Sequence, residues 1–211
     1  MKRLLAWLLL TALALGLTGC RREEQRAAPA QRPVATITMQ SGDTMRFELY
    51  PDLAPNTVAN FIHLANRRFY DGQRFFRVVA GVFIQGGDPQ NDGTGDPGYA
   101  IKGEFSQNGF KGNTLTHRRG VISMARPSDY DGAGSQFFIM QGSYPEYDGY
   151  YAAFGVVMDA ESLATLDAIA SQPVDGSYRP LAHQTIATIR VETFDEEYPD
   201  PETFKREKKK K

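Results

Sequence analysis

Residues 74–88 read RFFRVVAGVFIQGGD, and the organisation of the whole chain turns on how that run is parsed. Phe75, Phe76, Val78, Val79, Val82, Phe83 and Ile84 are the aromatic and β-branched residues that fill strands packed on a core. Gly81 divides the run into two short strands. Arg77 stands in the middle of the first. A guanidinium is almost never buried without a partner, so Arg77 extends to the surface, pairs with a carboxylate, or lines a site. The run by itself leaves all three readings open.

Short segments of the same kind recur on either side. VATITMQSGDTMRFELY, residues 34–50, alternates in the strand sense around Ser-Gly-Asp and predicts a hairpin. GVISMAR, SQFFIMQG, AAFGVVM and TIATIRVETF supply further strands. Two stretches change to helical spacing. One begins near Pro55 and sets Val58, Phe61, Ile62 and Ala65 on one face; the other, DAESLATLDAIASQ, carries Leu163, Leu166 and Ile169 as its stripe. About eight short strands with two helices predict an all-β fold, a closed eight-stranded antiparallel β-barrel capped by two α-helices.

This domain spans residues 34–194 and does not account for the ends. MKRLLAWLLLTALALGLTGC has basic residues at Lys2 and Arg3, an apolar stretch from Leu4 to Leu17, and small residues before Cys20, the layout of an export signal over residues 1–19. The apolar stretch is shorter than the ~20 residues that span a bilayer. LTGC resembles a bacterial lipobox, in which the cysteine becomes the first mature residue and is lipidated, so a lipid anchor on Cys20 and a membrane-anchored, extracytoplasmic location are expected. Cys20 is the only cysteine, which excludes a disulfide within the chain. Residues 20–33, charged and Ala/Pro-rich, predict a flexible tether. Residues 195–211 predict a disordered tail, first acidic and then basic. That basic end, KREKKKK, is either a solvated terminus or a contact for an anionic surface.

Charge and composition narrow the function. Residues 20–204 carry 16 basic and 24 acidic side chains, so no nucleic-acid partner is expected. His63, His117 and His183 lie far apart with no carboxylate or cysteine at ligand spacing, which gives no support to a metal site. No G-x-S-x-G elbow is present, and the glycines of NDGTGDPG lack the strand and helix context of a phosphate cradle.

Four blocks then decide the matter: NTVANFIHLANRRFYDGQRFFRVVAGVFIQGGD, GTGDPGYAIKGEF, HRRGVISMARPSDYDGAGSQFFIM and YDGYYAAFG. Together and in order they resemble the cyclophilin-type peptidyl-prolyl cis/trans isomerases, bacterial members in particular. The resemblance implies an eight-stranded barrel with two helices, isomerisation of X-Pro bonds during folding of exported proteins, no cofactor, and proline-containing unfolded or extended polypeptides as partners. It implies a monomer. The alternative reading is a Pro-peptide-binding module or holdase that grips without turnover. In the pattern F-x-R-x-x-x-G-x-x-x-Q-G-G-D, filled by Phe75, Arg77, Gly81, Gln85, Gly86, Gly87 and Asp88, the resemblance makes Arg77 and Gln85 catalytic.

The resemblance also implies the substrate-binding set. Phe83 and Phe138 match the walls around the proline ring, Val82 stands where Phe is usual, and Gln136 matches a polar position that orients Arg77 and bonds the peptide. Ala125 and Arg126 fall on the segment that pairs with extended substrate. Tyr147 and Tyr151 occupy frequent Leu and His positions, and Phe75 and His117 complete the set. Three departures stand out: Phe76 for His, Ala80 for Pro, and Glu146 for the Trp that helps bind cyclosporin, so weak cyclosporin binding is expected.

Overall fold

A computed structural model of the protein describes residues 31–205. The export signal, Cys20, most of the tether and the end of the basic run lie outside the described residues. The elements follow in the order β1 (Val34–Met39), β2 (Thr44–Leu49), α1 (Pro55–Asn66), β3 (Arg77–Val79), β4 (Phe83–Gly86), β5 (Val121–Met124), β6 (Phe137–Met140), β7 (Ala153–Val157), α2 (Ala160–Ala170) and β8 (Ile186–Glu192). Eight strands form one antiparallel sheet in the order β3-β4-β6-β5-β7-β2-β1-β8. Both sequence-predicted helices and the 34–50 hairpin are present, as expected from their periodicity.

The expected closed barrel needs one correction. The sheet curls on itself, but its outer strands β3 and β8 share no ladder. The seam is crossed instead by irregular backbone: Gly72 N–H donates to the Ile186 carbonyl at 2.9 Å, Ile186 N–H to Gln73 at 2.8 Å, and Phe75 N–H to Gln184 at 2.9 Å. The free edge of β3 is occupied by the loop after α2, where Val78 N–H donates to the Tyr178 carbonyl at 2.8 Å. A loop over an edge removes the unpaired donors that invite aggregation.

Alternation along the strands sorts side chains between two clusters. Ile37, Phe47, Phe61, Ile84, Phe137 and Phe154 belong to the interior core, while Phe83, Phe138 and Met140 form a second cluster with Val82, Tyr147 and Tyr151. Neighbouring residues of one strand thus serve opposite faces: Ile84 points in and Phe83 out, Phe137 in and Phe138 out.

α1 begins at Pro55 with Ala54 as its N-cap, which has no side-chain acceptor. The acceptor comes from elsewhere. Buried Glu104 takes the N–H groups of Asn56 at 2.9 Å and Thr57 at 2.7 Å. α2 carries its own cap, Asp159, which accepts from Ser162 N–H at 2.8 Å.

The chain ends depart from expectation within the described residues. Arg32, placed in the tether, pairs with Asp52 at 3.0 Å and Glu48 at 3.5 Å and lies over the Tyr50 ring at 4.1 Å. Residues 195–205, placed in a disordered tail, dock on α1 and the loop beside it. Asp200 meets His63 at 2.8 Å, Glu202 N–H donates to Asn56 Oδ1 at 2.7 Å, and Phe204 and Ala100 exchange backbone bonds of 3.0 and 2.9 Å. Tyr198 packs on the core. Asp200, Glu202 and Phe204 find partners more than 100 residues away, which no local pattern reveals.

Candidate active site

The β3–β4 turn is the first determinant of the site. Val82 N–H donates to Val79 at 2.9 Å, and Gly81 sits at φ +80°, a conformation that a side chain resists. The tight turn sets Arg77 opposite Gln85 in the ladder. Arg77 is exposed, its guanidinium 5.1 Å above the Phe83 ring, and among the described residues it makes no ion pair. Of the three readings open to the sequence, the ion pair is removed.

What orients the guanidinium is a relay of amides. Asp88 is fully buried and accepts from the N–H groups of Gln90 at 2.8 Å, Asp92 at 3.1 Å and Gly93. This folds the 88–95 loop so that the Gly93 and Gly95 carbonyls accept from Gln136 Nε2 at 3.2 and 3.0 Å. With both donors of Gln136 turned to the loop, its Oε1 faces Gln85 Nε2 at 3.0 Å. Gln85 then presents its own oxygen to Arg77 Nη1 at 3.4 Å. An amide has one acceptor end and one donor end, so fixing the loop fixes the polarity of every link. Gly87, at φ +82°, lets β4 pass so close to β6 that a Cβ there would lie 2.4 Å from the Ser135 carbonyl.

Beside Arg77 lies an aromatic hollow. Phe83 and Phe138 are 5.6 Å apart between centroids, Tyr147 stands edge-on to Phe138 at 6.0 Å, and Tyr151 stands edge-on to it at 5.4 Å. Burial raises the Tyr147 phenol above its ordinary value, so it stays a hydrogen-bond donor at neutral pH. Arg126 folds back over Tyr151 at 4.9 Å and Tyr130 at 4.6 Å, and its Nε donates to the Tyr150 carbonyl at 2.9 Å. Ala125, Arg126, Gln136 and Gln85 border an adjoining pocket of about 200 Å³.

Two residues expected to touch substrate do not reach the surface. Phe75 is buried in the interior core, edge-on to Phe137 at 6.0 Å, because β3 starts only after it and the chain ahead of the strand turns it inward. His117 is likewise buried, stacked behind Phe138 at 5.9 Å. Its Nδ1 meets Asp148 at 2.9 Å and its Nε2 meets Ser123 Oγ at 3.0 Å. Burial lowers the His117 pKa, with the Asp148 carboxylate pulling the other way. His117 therefore braces the wall that Phe138 presents. Sequence reasoning gave no role to Asp148, Tyr130 or Phe105, whose ring also lies under Arg126 at 5.1 Å. Asp88 was visible only as a motif letter, although an Asp before Pro-Gln-Asn is a turn signature. Among the described residues no cluster of three His, Cys, Asp or Glu forms a metal site.

An exposed, amide-oriented guanidinium beside an aromatic hollow, on a curled antiparallel sheet with two helices, defines a class: a site that offers a hydrogen-bond donor beside an apolar grip. Comparison with known proteins agrees. The family model for "Cyclophilin type peptidyl-prolyl cis-trans isomerase/CLD" matches residues 34–191. Peptidyl-prolyl cis-trans isomerase B of Bacillus subtilis is 43% identical over 142 residues, covering 65% of this chain and 95% of the relative. A peptidyl-prolyl cis-trans isomerase of Helicobacter pylori is 43% identical over 148 residues, covering 70% and 85%. Among solved structures, a Cryptosporidium parvum cyclophilin type peptidyl-prolyl cis-trans isomerase, crystallised in the presence of the dipeptide Ala-Pro, superposes with a TM-score of 0.65 at 31% identity, covering 76% of this chain and 99% of that one. The chain belongs to the cyclophilin-type peptidyl-prolyl cis-trans isomerase family, and its activity is the isomerisation of X-Pro bonds.

Proposed function

We propose that this isomerase works outside the cytoplasmic membrane, anchored by lipid on Cys20, and speeds proline-limited folding of exported proteins, with Arg77 as the group that lowers the barrier. The observation that carries the catalytic part is the relay from Gly93 and Gly95 through Gln136 and Gln85 to Arg77, beside the Phe83/Phe138 hollow. The X-Pro amide is planar by resonance, with a rotational barrier of about 18–20 kcal/mol. Twisting breaks conjugation and returns a lone pair to the proline nitrogen. A guanidinium held beside that nitrogen donates a hydrogen bond that forms well only in the twisted state, so it stabilises the transition state over either isomer. Phe83, Phe138, Tyr147 and Val82 grip the proline ring, the edge at Ala125 pairs with the extended client, and the Tyr151 hydroxyl is a donor for the carbonyl before the proline. The Cryptosporidium parvum relative, crystallised in the presence of Ala-Pro, supports a proline-containing ligand.

The location rests on the export signal and LTGC. Uncatalysed X-Pro isomerisation takes about 10–100 s, long enough to delay folding after export. Cys20→Ser is expected to move the protein from the membrane fraction to the soluble exported fraction or to leave an uncleaved precursor. Two or three acyl chains hold firmly where one holds weakly, so the loss should be nearly complete. Unchanged membrane attachment of Cys20→Ser would exclude the anchor.

A further inference from the structure

The cleft at Arg77 does not end at the proline hollow. Between Arg77 and the loop after α2 lies a groove of about 250 Å³, bordered by Phe76, Gln85, Asp92, Ser177 and Arg179. Phe76 and Arg179 also line a second hollow of about 320 Å³, whose other walls include Arg74, Asp175, Leu181 and His183. The two share a wall and form one channel that starts at Arg77.

The far wall of this channel is firmly built. Asp175 N–H donates to Arg179 at 2.9 Å, Tyr178 N–H to Asp175 at 3.0 Å and Leu181 N–H to Pro173 at 2.9 Å, and Val78 N–H ties the loop to β3 through Tyr178. The Asp175 carboxylate is turned into the loop, accepting from Ser177 N–H at 2.8 Å and Arg179 N–H at 3.0 Å. Asp92, which borders the groove, accepts with its carboxylate from Thr94 N–H at 2.8 Å and from Thr94 Oγ1 at 2.6 Å. Arg74, Arg77 and Arg179 follow one another along the channel, and among the described residues none of the three is in an ion pair. Arg179 Nη2 donates to the Asp92 carbonyl at 3.4 Å, and its charge also acts on the Asp92 and Asp175 carboxylates. Leu181, 69% exposed, leaves apolar surface on the channel wall. Three arginines against Asp92 and Asp175 leave the channel lining with one positive charge in excess, on residues 20–204 that carry 24 acidic side chains against 16 basic ones.

We propose that this channel is a second binding site for the client polypeptide, taking an acidic side chain a few residues from the proline, with Arg179 as the residue that sets the preference. A client whose X-Pro bond lies beside Arg77 is extended, and one of its flanks has to leave the cleft. The channel offers that flank apolar sides and guanidiniums whose hydrogen-bonding capacity the loop does not consume, which matches a carboxylate. The inference rests on the placing of the rotating bond beside Arg77.

The test is a set of X-Pro peptides in which Glu and Gln are exchanged at each of the three positions on either side of the dipeptide. The ratio of kcat/KM for Glu over Gln should exceed one at a single position, by about threefold to tenfold, and fall towards one in high salt. Arg179→Gln should bring the ratio near one, and Arg179→Glu should push it below one. Arg74→Gln should weaken it in part. A ratio of one at every position in the unmodified protein overturns the proposal, as does an unchanged ratio in Arg179→Gln. Because each arm is a ratio within one preparation, it is separate from the test of Arg77 itself, whose replacement lowers turnover of all peptides together.

Discussion

Arg77 lies on a three-residue strand between buried neighbours, yet its own side chain is exposed above Phe83 and linked to Gln85. A structural arginine and a catalytic one differ in what their removal changes. Arg77→Ala is expected to lower kcat/KM by roughly 10- to 1,000-fold, about 1.4–4 kcal/mol of transition-state stabilisation, with most of the loss in kcat. Since the side chain is exposed and makes no ion pair among the described residues, the melting temperature should stay near that of the unmodified protein. Arg77→Lys should recover only part of the activity, because an ammonium lacks the planar fork that Gln85 can orient while another N–H points at the proline nitrogen. Melting temperature and kcat/KM measured on one preparation decide the matter: a drop in stability with near-normal turnover of the folded fraction would make Arg77 structural.

At the level of elements, the two helices are started differently. α2 brings its own Asp159, so its N-terminus is legible in sequence. α1 begins at Ala54-Pro55 and depends on Glu104, 47 residues on from Thr57. Burial raises the Glu104 pKa, while the N–H groups of Asn56 and Thr57 act to lower it. Removing the carboxylate leaves the Thr57 N–H buried without its acceptor. Glu104→Ala should therefore destabilise the fold by about 1–2 kcal/mol, seen as a lower urea midpoint at constant m-value. Glu104→Gln, which keeps one acceptor oxygen, should cost less. Equal losses for the two variants would show that both carboxylate oxygens are needed, and no loss in either would show that the cap contributes nothing.

For the molecule as a whole, the segment after β8 matters more than its composition implies. Residues 195–205 run across α1 and pair with Ala100, beyond the 34–191 span of the family match. They join the N-terminus of α1 to the loop next to Ile101, which itself bridges to Ala133. Deletion of residues 195–211 should lower the melting temperature by several degrees, equivalent to about 1–3 kcal/mol. Turnover of a short X-Pro peptide should stay close to that of the full chain, since none of the described residues 195–205 borders the Arg77 cleft. An unchanged melting temperature would show that the docking contributes nothing to stability.

Local chemistry in the sequence determined the strands, both helices, the turn at Gly81, and, through the blocks from Phe75 to Asp88 and from Gly134 to Ile139, the family and most of the site. Those features depend on residues close together along the chain: period-two alternation, an i, i+3, i+4 stripe, a glycine where φ must be positive. Only the tertiary structure decided which aromatic residues face the core and which face the substrate cleft. Phe75 and Phe83 are alike in composition and context, and the curl of the sheet sends one inside and the other out. The same holds for His117 behind Phe138, Arg126 over Tyr130 and Tyr151, the seam between 72–75 and 184–186, and Glu104 at the start of α1. In each case the partner lies on a different segment of the chain. Burial and hydrogen bonding there are properties of the folded surface, which no single segment carries on its own.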